Sequence, residues 1–142
     1  MAGPLMHMVS IDGEASNIFE TLSTGKGLAS FWTADSEAEA EAGSIARFGF
    51  HGPRLEMKVE ELKPGKLVRW SAQGGFDDWQ GTTVTWEIKP AKAGGNEVWF
   101  NHAGWSKDLP AADLASVNYT WGQVVARLKM VVESGRPDPY FP

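Results

Sequence analysis

The stretch EVWFNHAGW, residues 97–105, ends an alternating aromatic run on His102. If Val98, Phe100 and His102 share one face, the imidazole would stand beside an apolar wall. There it could orient a ligand carbonyl or move a proton near neutral pH. The competing role is a histidine held by hydrogen bonds at a strand-to-loop corner. His7 and His51 stand alone in sequence, with no i,i+4 partner and no flanking acid of a zinc motif. No metal site is expected. Asp77 and Asp78 are adjacent, so on a strand they diverge to opposite faces, and in a loop they solvate and cap. A two-carboxylate mechanism is not predicted. Arg47 and Arg69 alternate with apolar neighbours and are read as exposed, with anion binding as the alternative. TGKG around Lys26 lacks the spacing of a phosphate loop, and no Gly-x-Ser-x-Gly is present. The NYT triplet at Asn118 matches a glycosylation pattern but falls within a helical pattern. No cofactor is expected.

The bulk composition narrows the partners. The chain has 142 residues, which suits a single domain over residues 1–142 with a real core. Its net charge of -5 gives no electrostatic reason to bind nucleic acid or an anionic membrane. There is no cysteine, which excludes thiol catalysis and fits a cytoplasmic location. No signal peptide is read at the N-terminus, and no apolar run is long enough for membrane insertion. Tryptophan stands out: Trp32, Trp70, Trp79, Trp86, Trp99, Trp105 and Trp121 make seven. Either these rings fill a core or they line a cavity.

The elements that must position these residues follow from periodicity. PLMHMVSI, residues 4–11, alternates as a strand with Leu5, His7, Val9 and Ile11 on one face. EASNIFETLS follows at helical spacing, Gly25 and Gly27 interrupt it, and LASFW reads as a second short helix. The acidic segment 34–43 is read as a solvated face. Five alternating runs come next, at 44–50, 54–62, 66–72, 81–90 and 96–104, separated by turn signals. In the second, Leu55, Met57 and Val59 oppose charged residues, as in an antiparallel sheet with one covered side. A long amphipathic helix closes the chain, with Leu114, Val117, Trp121, Val124, Val125, Leu128, Val131 and Val132 on its apolar face. Pro110 suits its start, and Gly135 with Pro137 suits its end.

The expected class is α+β: a curved six-stranded antiparallel sheet gripping the long C-terminal helix, with two short helices after strand 1. Such a sheet leaves a space against the helix. Trp32, Phe50, Met57, Trp70, Trp79, Trp86, Phe100, His102, Trp121 and Leu128 are the candidate lining residues. Trp79, after GGFDD, is expected at the mouth. Trp99 is expected to point outward, and Phe100 is the best candidate to touch a ligand.

Several stretches carry a family resemblance: VSIDGEASNIFETLST, LASFWT, VEELKPGKLVRWS, GTTVTWEIKP, EVWFNHAGW and WGQVVARLKMVVESG. In order and spacing they resemble the SRPBCC superfamily, also called START-like or helix-grip, over about residues 5–135. The nearest branch resembles the heat-shock-protein ATPase activator-like domain, grouped with polyketide cyclases. The resemblance implies the helix-grip fold and favours a cavity over a filled core. It also gives His102-Ala-Gly104-Trp105 as a recurring histidine-glycine-aromatic pattern, which favours a structural His102. The function expected is binding of a small hydrophobic or aromatic ligand between sheet and helix, in a monomer or homodimer. One alternative is a cyclase or dehydratase with His102 as proton shuttle. Another is a co-chaperone-like interaction domain using Trp99 or the 35–41 face, less favoured because the separate N-terminal domain of the eukaryotic co-chaperone is missing.

Overall fold

The computed structural model describes residues 3–106 and 108–142. Strand β1 (Leu5–Ile11) leads into helices α1 (Ala15–Ser23) and α2 (Gly25–Phe31). Then come β2 (Ser36–Glu37), β3 (Ile45–Gly49), β4 (Arg54–Lys63), β5 (Leu67–Gly74), β6 (Thr83–Pro90) and β7 (Asn96–Ala103). The long helix α3 (Ala111–Ser134) follows. The sheet order is β1-β7-β6-β5-β4-β3-β2, with every pairing antiparallel. The α+β helix-grip arrangement is therefore present, with seven strands instead of the expected six. The extra strand lies in the acidic segment, where Ser36 and Glu37 pair with Phe48 and Arg47. Two residues are too few to show alternation, and Glu37 gains the Arg54 guanidinium at 2.8 Å.

Alternation builds the covered face as predicted. Leu5, His102 and Val84 lie in one cross-strand row; His7, Phe100, Trp86 and Val68 form the next. Val98, Phe100, Trp86, Trp70, Leu55, Met57 and Phe48 are buried, and Leu128, Val124 and Val125 of α3 close over them. Register shifts between Glu56 and Met57, and between Val59 and Glu61, bend β4 against β5. The outer face carries the charges. Arg69 pairs with Glu61, and Arg47 with Glu56 at 3.1 Å, so both guanidinium groups already hold carboxylates. These pairs are exposed and contribute about 0–1 kcal/mol each.

The glycines at 25 and 27 do not separate the helices as expected; they lie inside α2. Thr24 is the reason. Its hydroxyl oxygen accepts from the Gly27 N–H at 3.0 Å, satisfying a free donor of the first turn. Gly27 also lies so close to Thr21 that a Cβ would sit 2.4 Å from the Thr21 carbonyl oxygen. The glycine thus permits the sharp junction of α1 and α2 that delivers Trp32 to the core. Loss of the cap in Thr24→Ala should cost about 1 kcal/mol by chemical denaturation, whereas Thr24→Ser should stay close to wild type.

Candidate functional site

His102 sits on the inner face of β7, fully buried. Its neighbours assign its protons. Trp121 Nε1, which can only donate, reaches His102 Nδ1 at 3.1 Å. Nδ1 therefore accepts, and the neutral ring carries its hydrogen on Nε2. That N–H donates to Thr82 Oγ1 at 2.9 Å, and Thr82 in turn donates to the Trp79 carbonyl at 2.6 Å. Both ring nitrogens are occupied. Trp105 completes the enclosure: its ring lies 4.3 Å from the imidazole, and its Nε1 donates to the His102 carbonyl at 3.2 Å. The reversal that brings Trp105 back over His102 passes through Gly104 at φ 83°, a left-handed conformation that favours glycine. The histidine-glycine-aromatic pattern is a corner motif.

Burial pushes the His102 imidazole down to about 3 from its ordinary 6.5, because the charged form would lose water with no carboxylate to replace it. The group is neutral at physiological pH and has no free nitrogen. It positions Trp121; it does not meet solvent.

A cleft of about 230 Å³ opens beside this network. Its walls are Trp32, Phe50, Phe76, Trp79, Val117, Trp121 and Phe141, with Ser116 and Thr120 at the helix side. Four of the ten candidate lining residues meet here: Trp32, Phe50, Trp79 and Trp121. Trp79 stands at the rim, half-buried, its ring 5.2 Å from Phe76 and 5.9 Å from Trp121. The other six do not reach this cleft. Phe100 lies behind Trp121, ring to ring at 4.5 Å, and Trp86 lies behind both. Trp70 is covered by Trp32, stacked at 6.0 Å with an 8° tilt. Met57 and Leu128 are fully buried in the core, as is His102. The rings nearest the sheet centre fill their space, so the open volume is displaced toward one end of the helix. Trp99 faces outward, as expected, with its Nε1 donating to Glu97 and Lys89 lying 5.2 Å over its ring.

Phe76, Val117 and Phe141 also form walls. Val117 lies on the apolar stripe of α3 and reaches the cleft from the helix side. Phe141 had no periodic signal. It is placed by backbone bonds: the Phe141 N–H donates to the Trp32 carbonyl at 2.8 Å, and the Ala34 N–H to the Phe141 carbonyl at 2.9 Å. Arg127 fastens the same tail, pairing with Asp138 at 2.8 Å and lying over Tyr140. Asp77 and Asp78 lie exposed in a short turn, Asp77–Trp79, and do not line the cleft. Among the described residues, no three His, Asp or Glu side chains are grouped to hold a metal ion. No helix among them is long and apolar enough to cross a membrane.

A family model described as "Activator of Hsp90 ATPase homolog 1-like protein" matches residues 12–133. The chain belongs to this family. Among solved structures, it is similar to the Aha1 dimer from Colwellia psychrerythraea, at 28% identity and TM-score 0.82, covering 95% of this chain and 98% of that one. It is also similar to DynU16 of the dynemicin biosynthetic locus, at 20% identity and TM-score 0.78, covering 99% and 51%. A Bacillus halodurans protein is similar at 20% identity and TM-score 0.76, covering 93% and 98%. The last two likenesses concern the fold alone. A comparison with curated proteins finds no match.

Two outcomes follow for the buried network. His102→Ala leaves the Trp121 N–H without its acceptor, removes the donor to Thr82 Oγ1 and opens a cavity, and should cost about 3–5 kcal/mol of unfolding free energy. The native imidazole stays neutral while the unfolded one protonates below 6.5, so the unfolded state binds the extra proton. Stability is full above pH 6.5 and falls toward lower pH at up to about 1.4 kcal/mol per unit. Between pH 6.5 and the carboxylate range, urea titrations of His102→Gln should show a shallower slope than wild type.

The Trp86 Nε1 is a buried side-chain donor without a partner among the described residues. Trp86→Phe removes that unsatisfied group, whereas Trp121→Phe breaks the bond to His102. Trp121→Phe should therefore lower Tm more, by roughly 1–2 kcal/mol of stability beyond Trp86→Phe.

Proposed function

We propose that this protein binds a small, uncharged aromatic or apolar molecule in the cleft at the Trp79 end of α3. The observation that carries this reading is the wall itself. Six of nine lining residues are Trp or Phe, and none is an acid or a base. Apolar enclosure supplies affinity in such a site, and the hydroxyls of Ser116 and Thr120 offer hydrogen bonds that orient a ligand. A cleft of about 230 Å³ suits a one- or two-ring molecule better than a long lipid chain. The cyclase or dehydratase alternative is less favoured, because its proton shuttle, His102, is buried with both ring nitrogens already hydrogen-bonded to Thr82 and Trp121.

Naphthalene is a suitable probe. Titrated into the protein, it should shift the side-chain N–H resonances of Trp32, Trp79 and Trp121 and leave Trp99 in place, with Kd on the order of 100 μM. Val117→Trp fills the cleft from the helix side and should abolish these shifts while changing Tm little. Unchanged tryptophan resonances at saturating naphthalene would sink this reading.

A homodimer is the assembly this reading favours. Its support is the Colwellia protein, described as a dimer and alike over nearly the whole of both chains.

A further inference from the structure

One wall of the cleft can leave without breaking the others. Five of its rings form a closed circuit. Trp32 meets Phe50 at 5.8 Å, Phe50 meets Phe76 at 5.5 Å, and Phe76 meets Trp79 at 5.2 Å. Trp79 meets Trp121 at 5.9 Å, and Trp121 returns to Trp32 at 5.1 Å. Each of these rings is braced on both sides. Phe141 also lines the cleft, but among the described residues its ring meets this circuit at Phe50 alone, edge-on at 5.1 Å. Its other ring contact is Tyr140, its neighbour in the chain. Withdrawing Phe141 removes a wall and leaves the circuit whole.

The segment that carries Phe141 is lightly held. Helix α3 ends at Gly135, whose φ of 72° lets the chain turn sharply. Residues 136–142 then run along residues 30–34, outside the helices and strands named above, and none of them is buried. Four main-chain bonds of 2.8 to 3.2 Å hold this run: Asp138 to Ser30, Tyr140 to Phe31, Phe141 to Trp32, and Ala34 to Phe141. Two side chains from elsewhere pin it. Arg127 of α3 pairs with the Asp138 carboxylate at 2.8 Å and donates to the Asp138 carbonyl at 3.0 Å. His51 Nε2 donates to the main-chain oxygen of Pro142 at 2.9 Å. His51 also holds φ 58°, the one positive value at a non-glycine position among the described residues. Such outliers persist where the surroundings impose them, and they cluster at clamps and switches. A segment with few buried apolar contacts and exposed hydrogen bonds opens at a lower free energy than a sheet does.

We propose that residues 136–142 form a strap over the cleft, and that a bound molecule enters and leaves by its release, with Arg127 and His51 as the pins that set the rate. The proposal rests on the ligand reading above and adds its control. Neither pin lines the cleft, so neither touches the ligand. Loosening a pin eases opening equally in the empty and the filled protein. Entry and exit then quicken together, and the affinity, which is their ratio, stays where it was.

Relaxation dispersion on the tryptophan side-chain N–H resonances, at partial saturation with naphthalene, measures both rates. Arg127→Gln and His51→Gly should each raise entry and exit roughly three- to ten-fold with Kd nearly unchanged. Glycine keeps the left-handed turn at position 51 without strain, so that variant removes the pin alone. In the ligand-free protein, amide exchange at Tyr140 and Phe141 should quicken by a similar factor, while exchange at Phe100 in β7 stays as in wild type. Arg69→Gln, which breaks an ion pair on the outer face of the sheet, should leave all of these unchanged. Near-UV circular dichroism should match wild type in all three variants. Tryptophan resonances that ignore naphthalene overturn the ligand reading and the strap's role together. Normal shifts with entry and exit rates unchanged in both pin variants overturn the strap and leave the ligand reading standing. A weaker Kd with entry unchanged makes Arg127 and His51 supports of a fixed wall, and overturns the strap as well.

Discussion

The hydrogen bond from Trp121 to His102 joins the long helix to the sheet where both are driest, and much of the site depends on it. Apolar burial presses α3 onto the sheet but does not choose a register, because it is proportional to area and has no direction. A donor that must find a buried acceptor does choose. Sliding α3 along the sheet would strand the Trp121 N–H and the His102 nitrogen in a medium where each unmet group costs about 1–3 kcal/mol. The same bond fixes the tautomer, which sends the Nε2 hydrogen to Thr82, which in turn bonds the carbonyl of Trp79. The rim of the cleft is therefore tied, through three side chains, to the helix that forms its other wall.

Much of the fold was legible because strands and helices write their period into the chain. The alternation of Leu55, Met57 and Val59, and the stripe from Leu114 to Val132, each name a face. They do not name a depth. Phe100 and Phe50 both follow strand alternation, yet one is fully buried and the other borders the cleft, because depth depends on sheet curvature and on where the helix lies. Of the ten ring and aliphatic candidates, the legible part was the inward face, and the illegible part was which rings cover which. Phe141 escaped for a different reason. Its place comes from main-chain bonds to Trp32 and Ala34, and main-chain bonds leave no mark in side-chain pattern.

The histidine shows how one residue type separates two functions. An imidazole at a cleft with one free nitrogen and a carboxylate behind it is a proton carrier. The imidazole here has two bonded nitrogens, tryptophans around it and no charge to answer its own. Its chemistry is that of a rigid, bifunctional polar peg. The cleft beside it is walled mainly by Trp, Phe and Val side chains, with the hydroxyls of Ser116 and Thr120 on the helix side.

The packing of the tryptophans makes them an optical object as well as a structural one. Trp32 and Trp70 stack at 6.0 Å, and Trp121 lies 5.1 Å from Trp32, 6.2 Å from Trp86 and 5.9 Å from Trp79. Indoles this close exchange excitation faster than they emit. Light absorbed on the dry side of the cluster is shared with Trp79, the ring that borders water. The emission colour of this cluster is thus governed by its wettest member, while Trp99, on the outer face, emits apart from it.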